Sequence, residues 1–362
     1  MTHKLRMPAE WEPVEAVLIA WPEKHTDWNY ILDQATTQYR LLIKALLRTD
    51  VKIVIVTENT ALVKLQLEED FDASRIMLAK TAHNDTWTRD FGPIAVIKHS
   101  ELRLLDFGFN AWGLKFAADK DNLVNLALAH NRILNPSIYR NHRDFILEGG
   151  SIESDGAGTL LTTSRCLCSP NRNGGKTKAE LNEILATRLG ADHILWLDYG
   201  ALEGDDTDSH IDTLARMAPD NTILFTGCRD ETDPQFETLL KMRAQLELMR
   251  TAQGDAYNLI ELPLPDPVHD PSDGSRLPAT YANYLIVNGF ILMPTYAQPA
   301  KDRLAAQTLR IVFPQHQIIG VDCRTLLRQH GSLHCATMQL PPGSLGSDAS
   351  AHSSPINLSD IN

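Results

Sequence analysis

What most constrains the fold is a layout that recurs. Five stretches each begin with short β-type runs, pass through a helical pattern and end in a further short apolar run. The first begins near Glu15 with EAVLIAW, and the second is GPIAVIKHSELRLLDFGF. The third, SIESDGAGTLLTT, has Asp155-Gly156 in a turn position, and the fourth, HIDTLARMAPDNTILFTG, has the turn Pro219-Asp220-Asn221. The fifth, YANYLIVNGFILMPTY, sets Asn288-Gly289 between apolar runs, the strongest short-range hairpin signal. The units return at roughly 60–70 residues, a spacing that suggests a repeat architecture. Five such units imply one domain closed into a ring, with strands inside, helices outside and the site at the centre. A doubly wound α/β sheet also alternates strands and helices. Most of these units carry hairpins, however, and no Gly-x-Gly-x-x-Gly turn joins a strand to a helix. The expected organisation is a single domain over 1–342 and a flexible tail over 343–362, rich in Ser, Gly and Asp.

The helices are marked by their ends. Thr177 with Glu180 fits a capping box, and Gly190 closes that helix. Asp233-Pro234 precedes QFETLLKMRAQLELM as cap and first helical position, and Pro299 and Pro314 bracket AKDRLAAQTLRIVF. YILDQATTQYRLLIKALL and DNLVNLALAHNRI have helical spacing, while VKIVIV, SIY, HILWLD and QIIGVD read as strands.

The formal net charge of −12 argues against nucleic acid as a main partner and favours approach of a cation. No stretch reaches the ~18 apolar residues that a membrane span requires, and no signal peptide is evident after Met1. The expectation is a soluble cytoplasmic protein with no membrane partner. Five cysteines do not read as a disulfide framework. Cys166 and Cys168 form a C-x-C pair without the second ligand pair of a zinc site.

Four places carry chemistry. In NDTWTRDFGP, Asp90 precedes a Gly-Pro turn, and Trp87 is either core or a ligand wall. In LEGGSI, Glu148 enters a strand end beside two glycines, which permit close approach. In EGDDTDSHID, His210 and Asp212 are two apart in a β-type run and so share a face. Asp205, Asp206 and Asp208 before them could offer oxygens to a divalent cation, although the loop fits no EF-hand pattern. In GSLHCATMQL, a strand would turn His334 away from Cys335, leaving His210 as the natural base for the thiol.

One thiol, one imidazole and three carboxylates do not suit ordinary amide hydrolysis, because the carboxylates would oppose an oxyanion. They suit a planar cation. A guanidinium presents five N–H donors in a fixed fork that carboxylates clamp bidentately, and a thiolate can attack its held carbon. A nitrilase-type hydrolase would need a Lys beside the Cys and Glu, and none of the four motifs has one. An inert guanidine-binding protein could dispense with Cys335 and His210.

The stretches RMPAEWEPVEAVLIAWPE, NDTWTRDFGP, FGFNAWG, LEGGSIESDGAGTLLTT, SPNRN, DTDSHID, YANYLIVNG and GSLHCATMQ closely resemble the agmatine deiminase family. That family is similar to bacterial peptidylarginine deiminase, within the guanidino-group-modifying superfamily. The resemblance runs in order from about Arg6 to Gln339. It implies a five-bladed, pseudo-fivefold α/β propeller (the pentein fold) of ββαβ units, needing no cofactor and no metal. It implies hydrolysis of agmatine to N-carbamoylputrescine and ammonia, in polyamine biosynthesis, with free or peptidyl arginine as the alternative substrate. A homodimer is the expected assembly. By the resemblance Cys335 is the nucleophile, His210 the general acid and base, and Glu148 the group that orients the site. Asp90 and Asp212 bind the guanidinium nitrogens. Asn283 borders the pocket and Trp112 walls the aliphatic stem, with Trp87 the other candidate substrate contact. Ser209 and Ser332 depart from the family's usual Gly and Gly or Asn, MQLP replaces a Gln-rich run, and the segment from Pro263 to Tyr281 is short.

Overall fold

The computed structural model describes residues 5–67 and 71–346. It is a mixed α/β fold of small sheets that share one wiring. The first contains β1 (Ala16–Ala20), β2 (Lys52–Thr57) and β3 (Ile76–Lys80), all parallel. In the second, β4 (Ile94–Lys98) runs antiparallel to β5 (Glu101–Gly108), which is parallel to β6 (Tyr139–Ile146). β7 (Ile152–Ser154), β8 (Thr159–Thr163) and β9 (His193–Leu197) repeat that order. So do β10 (Ala215–Ala218), β11 (Thr222–Gly227) and β12 (Asn258–Pro263). A short ribbon follows, β13 (Val268–His269) with β14 (Arg276–Leu277). The fifth repeat is β15 (Leu285–Val287), β16 (Phe290–Thr295) and β17 (Gln317–Asp322).

The sequence marks the start of the first unit near Glu15 but shows no turn for it. Instead, β1 takes its antiparallel neighbour from the other end of the chain, β18 (Met338–Leu340). With β18 in place, the first sheet has the same order as the rest and adds β3 at its edge.

Antiparallel neighbours need only a turn, whereas parallel neighbours need a crossover. Each middle strand is therefore followed by a helix: Leu32–Leu46, Asp121–His130, Lys178–Leu189, Phe236–Leu248 or Pro299–Val312. Thr177 and Glu180 form the expected capping box, and Gly190 ends that helix in a left-handed conformation. The helix expected after Asp233 begins instead at Phe236. Asp233 accepts from the Gln235 N–H and also pairs with Arg276. Crossovers cover the middle strands, so β1 and β11 have no exposed residue, and β1 reads as an unbroken apolar run.

No helix among the described residues is long and apolar enough to cross a membrane. Of the expected tail, Ser344 is buried, Leu345 bridges Leu134, and Gly346 donates to the Ile133 carbonyl. The stretch 347–362 lies outside the described residues.

Candidate active site

Each sheet presents its polar groups from the segment that leads into its antiparallel first strand. Asp90 lies in a helical turn, Thr88–Phe91, before β4, and Glu148 sits between β6 and β7. His210 and Asp212 lead into β10, Asn283 into β15 and Cys335 into β18. All six are at most 6% exposed.

Two local readings are corrected. SHID is not a strand: His210 caps a helical turn, Ile211–Leu214. The loop before it, with Asp208 and Ser209 at positive φ, swings the imidazole to the side on which Asp212 lies. SLHCATM is not a strand before Met338 either; residues 333–336 form a turn. Period-two alternation therefore says nothing about His334. Its Nδ1 lies 2.8 Å from Asp212 Oδ2 and its Nε2 lies 2.8 Å from Glu10 Oε1.

The groups converge over Gly150. A Cβ built there would stand 2.7 Å from Asp90 Oδ1, 2.7 Å from His210 Nδ1 and 3.2 Å from Asp212 Oδ2. Only a glycine admits all three. The Gly150 N–H also donates to Asp90 Oδ1 at 3.0 Å, and Trp112 Nε1 donates to Asp90 Oδ2 at 2.9 Å. Trp112 was expected only as a wall; its backbone is left-handed (φ 55°), which aims the indole N–H at the carboxylate. Trp87 is buried, and its ring packs so closely on Gly331 that a Cβ there would lie 2.3 Å away.

His210 Nε2 lies 2.9 Å from Glu148 Oε2, and Arg172 Nε donates to the same carboxylate at 2.9 and 3.1 Å. The Cys166 thiol points at Glu148 Oε2 from 3.6 Å. Arg172 and Cys166 had been given no role; the signal for Arg172 was its place in SPNRN. Burial would raise Glu148, but His210 and Arg172 outweigh it and hold the carboxyl below its ordinary range. Burial would push the His210 imidazole down, but Asp90, Cys166 and Glu148 hold it well above its ordinary value. Asp90 is pushed up to about 6, first by burial, with Asp212 and Glu148 adding to it against His210.

Cys335 Sγ lies 3.6 Å from Asp212 Oδ2 and 3.2 Å from Asn283 Nδ2. Asn283 Oδ1 in turn accepts from the backbone N–H groups of His334 and Cys335. Burial, then Asp212 and Asp90, raise the thiol well above its ordinary value. Asp212 is held low: burial opposes ionisation, but His334 outweighs it. Of these site groups, His210 Nδ1 and Asp212 Oδ1 make no hydrogen bond, and neither does the neighbouring Ser209 Oγ.

The acidic loop is engaged elsewhere. Asp205 accepts from Thr207 and Ser209, and Asp208 pairs with Arg172 and Lys115. Ser209 (φ 64°) holds a left-handed position, which explains why glycine would be usual there.

A buried set of one thiol, one imidazole and three carboxylates can hold a planar cation and attack it. Residues 6–341 match the model of the Porphyromonas-type peptidyl-arginine deiminases. An agmatine deiminase of Pseudomonas aeruginosa is 34% identical over 93% of this chain and 95% of its own. The solved C. jejuni agmatine deiminase, in a Cys→Ser form with substrate bound, is 36% identical, with TM-score 0.86, over 94% of this chain and 97% of its own. A Porphyromonas gingivalis structure solved as a candidate arginine deiminase is 40% identical, with TM-score 0.89, over 94% of this chain and all of its own.

Proposed function

The chain belongs to the Porphyromonas-type peptidyl-arginine deiminase family, and from that membership we propose that it hydrolyses agmatine to N-carbamoylputrescine and ammonia, in putrescine biosynthesis. It is a hydrolase of C–N bonds in linear amidines, like the agmatine deiminases it matches. The observation that carries the site reading is Asp212 Oδ1, a buried oxygen without a hydrogen bond, on the carboxylate that converges with Asp90 and His210 over Gly150. Such an acceptor is costly unless a ligand satisfies it, and a guanidinium supplies the donors.

In the free enzyme Cys335 keeps its proton, because it is buried and faces two carboxylates. A guanidinium bound between Asp90 and Asp212 cancels that charge, and the thiol releases its proton to solvent. The thiolate attacks the guanidinium carbon, forming the C–S bond and a neutral tetrahedral adduct. His210, positively charged between Asp90 and Glu148, protonates one nitrogen, which leaves as ammonia. The remaining thiouronium cation is held by the same carboxylates. Neutral His210 then takes a proton from water, hydroxide adds to the carbon, and the C–S bond breaks to return the thiolate. The protonated ureido product sheds its proton and departs. His210 and Cys335 share no hydrogen bond among the described residues, in keeping with a substrate carbon placed between them.

An acidic cluster that includes Asp85 supports an ammonium over a carboxylate at the substrate's other end. Asp85, two residues before Trp87, is pushed up to about 8 by burial and then by Asp121, Asp27 and Asp206, all acidic. Neighbours of one sign favour a cation among them. Deimination of free or peptidyl arginine is the second reading, supported by the family's description and by the P. gingivalis structure. Incubation with agmatine, arginine and a blocked arginine, with ureido product and ammonia measured, decides between them. Release from agmatine is expected, and release from none of the three removes the deiminase reading.

The shared wiring of the five sheets, with β18 returning to β1, supports ring closure into a five-bladed propeller. The reading carries a single catalytic domain over 1–342, a cytoplasmic homodimer, and activity insensitive to chelator.

A further inference from the structure

We propose that His334 is a positioning residue, an imidazole clamped between Glu10 and Asp212 that fixes which oxygen of Asp212 meets the substrate. The proposal rests on the guanidine-binding reading of the site. Asp212 and His334 are fully buried. Asp212 Oδ2 accepts from His334 Nδ1 at 2.8 Å and from Asn283 Nδ2 at 3.2 Å, with the Cys335 thiol at 3.6 Å. Its Oδ1 has no partner. A carboxylate with all its donors on one oxygen presents the other oxygen, with its lone pairs, in one orientation. Without His334, Asn283 alone would hold a carboxylate that rotates easily about its last bond.

The other ring nitrogen explains why a histidine stands here. Nε2 lies 2.8 Å from Glu10 Oε1. Arg216 Nη2 lies 3.1 Å from the same Nε2, so the outer nitrogen is held between a carboxylate and a guanidinium while Nδ1 is left to Asp212. Glu10 is itself fixed, by Arg216 Nη2 at 2.6 Å, Arg89 Nη1 at 3.1 Å and Gln339 Nε2 at 3.0 Å. Arg216 also pairs with Glu153 and donates to the Ala282 and Tyr284 carbonyls. The contacts run outward from the pocket as a series: Asp212, His334, Glu10, Arg216. The hydrogen bond from the ring favours the ionised form of Asp212 before substrate arrives. Glu10, with Arg89 and Gln339, also lines a cavity of about 310 Å³.

A merely structural ion-pair network predicts something different. Loss of such a network lowers the amount of folded enzyme, and with it kcat, but leaves KM alone. Loss of an oriented substrate carboxylate raises KM. The test compares the parent with His334→Ala, His334→Asn and Glu10→Gln, each corrected for folded fraction. His334→Asn keeps an amide donor where Nδ1 stands. Expected values are a KM for agmatine at least tenfold higher in His334→Ala, a return to within threefold of the parent in His334→Asn, and an intermediate value in Glu10→Gln. An unchanged KM in His334→Ala overturns the proposal. So do equal KM values in the Ala and Asn variants. Should His334→Ala fail to fold, an unchanged KM in Glu10→Gln overturns it.

A second readout separates this proposal from the functional reading. Cys335 is alkylated with a cationic haloacetamidine and with neutral iodoacetamide, and the ratio of rates is taken. The parent should favour the cation, and His334→Ala should lose at least tenfold of that preference. If the parent alkylates so but converts no agmatine, the substrate reading fails while the clamp stands. An unchanged preference in His334→Ala removes the clamp, whatever the substrate.

Discussion

Gly150→Ala tests the geometry of the site most directly. Gly150 is not in the left-handed region, so alanine strains no backbone dihedral; the problem is space. The added Cβ would lie 2.7 Å from both Asp90 Oδ1 and His210 Nδ1, where 3.4 Å is ordinary contact. Each group must then retreat by about 0.7 Å, the difference of those two distances. Misplacement on the order of 1 Å costs about 10²-fold in rate. With the binding carboxylate and the proton donor both displaced, kcat/KM should fall by about 10²–10³-fold, or about 3–4 kcal/mol. Overpacking of this kind destabilises by about 1–3 kcal/mol, which leaves a protein that folds. Gly149→Ala is the contrast. Its Cβ would lie 2.2 Å from the Arg89 carbonyl oxygen, which is backbone, and 2.9 Å from Met338 Cε. It should lose more stability than Gly150→Ala and less activity per folded molecule. The assay is ureido product formed from agmatine, with urea unfolding to give the folded fraction. A Gly150→Ala enzyme within threefold of the parent would refute the convergence of these groups.

Further outcomes follow from single contacts. Arg172→Ala strips a buried partner from Glu148, so unfolding in urea should reveal a loss of about 3–5 kcal/mol; Arg172→Lys should not rescue it, since a point charge cannot reach Glu148, Asp208 and the Thr207 carbonyl together. Only ionised Asp90 attracts a guanidinium, and its pKa is about 6, so kcat/KM should fall as pH drops through about 6. Stability moves the other way: the folded pKa is raised, so ionising Asp90 as pH rises toward 6 costs stability that is regained below the usual carboxylate range. A pH–rate profile flat down to pH 5 would contradict the assignment. Ser209→Gly relieves a left-handed serine (φ 64°) and should stabilise by about 1 kcal/mol, read as a higher urea midpoint with activity kept.

The sequence was most legible where a signal is local. The Asn288-Gly289 turn, the Thr177–Glu180 capping box and the five crossover helices are set by neighbours in the chain, and all are present. Asp90, Glu148, His210, Asp212 and Cys335 stand in short motifs that the residues themselves single out, whereas Asn283 was named only through the resemblance. Contacts between distant segments were not legible. Nothing near Ala16 announces that its antiparallel partner is Leu340. His334 was misread because alternation was applied to a turn, although the conclusion that it does not serve the thiol survives: both its nitrogens face carboxylates. Arg172 reaches Glu148 across 24 residues, and Arg216 and Glu10 meet across 206. Such ion pairs leave no period, and a motif such as SPNRN marks the residue without naming its partner.

The pairing of β1 with β18 has a consequence for how the protein comes apart. β18 is three residues long and starts three residues after Cys335 in the sequence. Short strands that join distant segments open at free energies well below that of global unfolding. When β18 lifts from β1, the turn carrying His334 and Cys335 loses its anchor, while the other four sheets keep their own ladders. The nucleophile thus sits on a latch. Amide protons at Leu18 and Leu340 should exchange ahead of those in β11, and a neutral thiol reagent should reach Cys335 at the same opening rate. Inactivation under mild denaturant would then precede melting, with the guanidinium clamp of Asp90 and Asp212 still folded behind it.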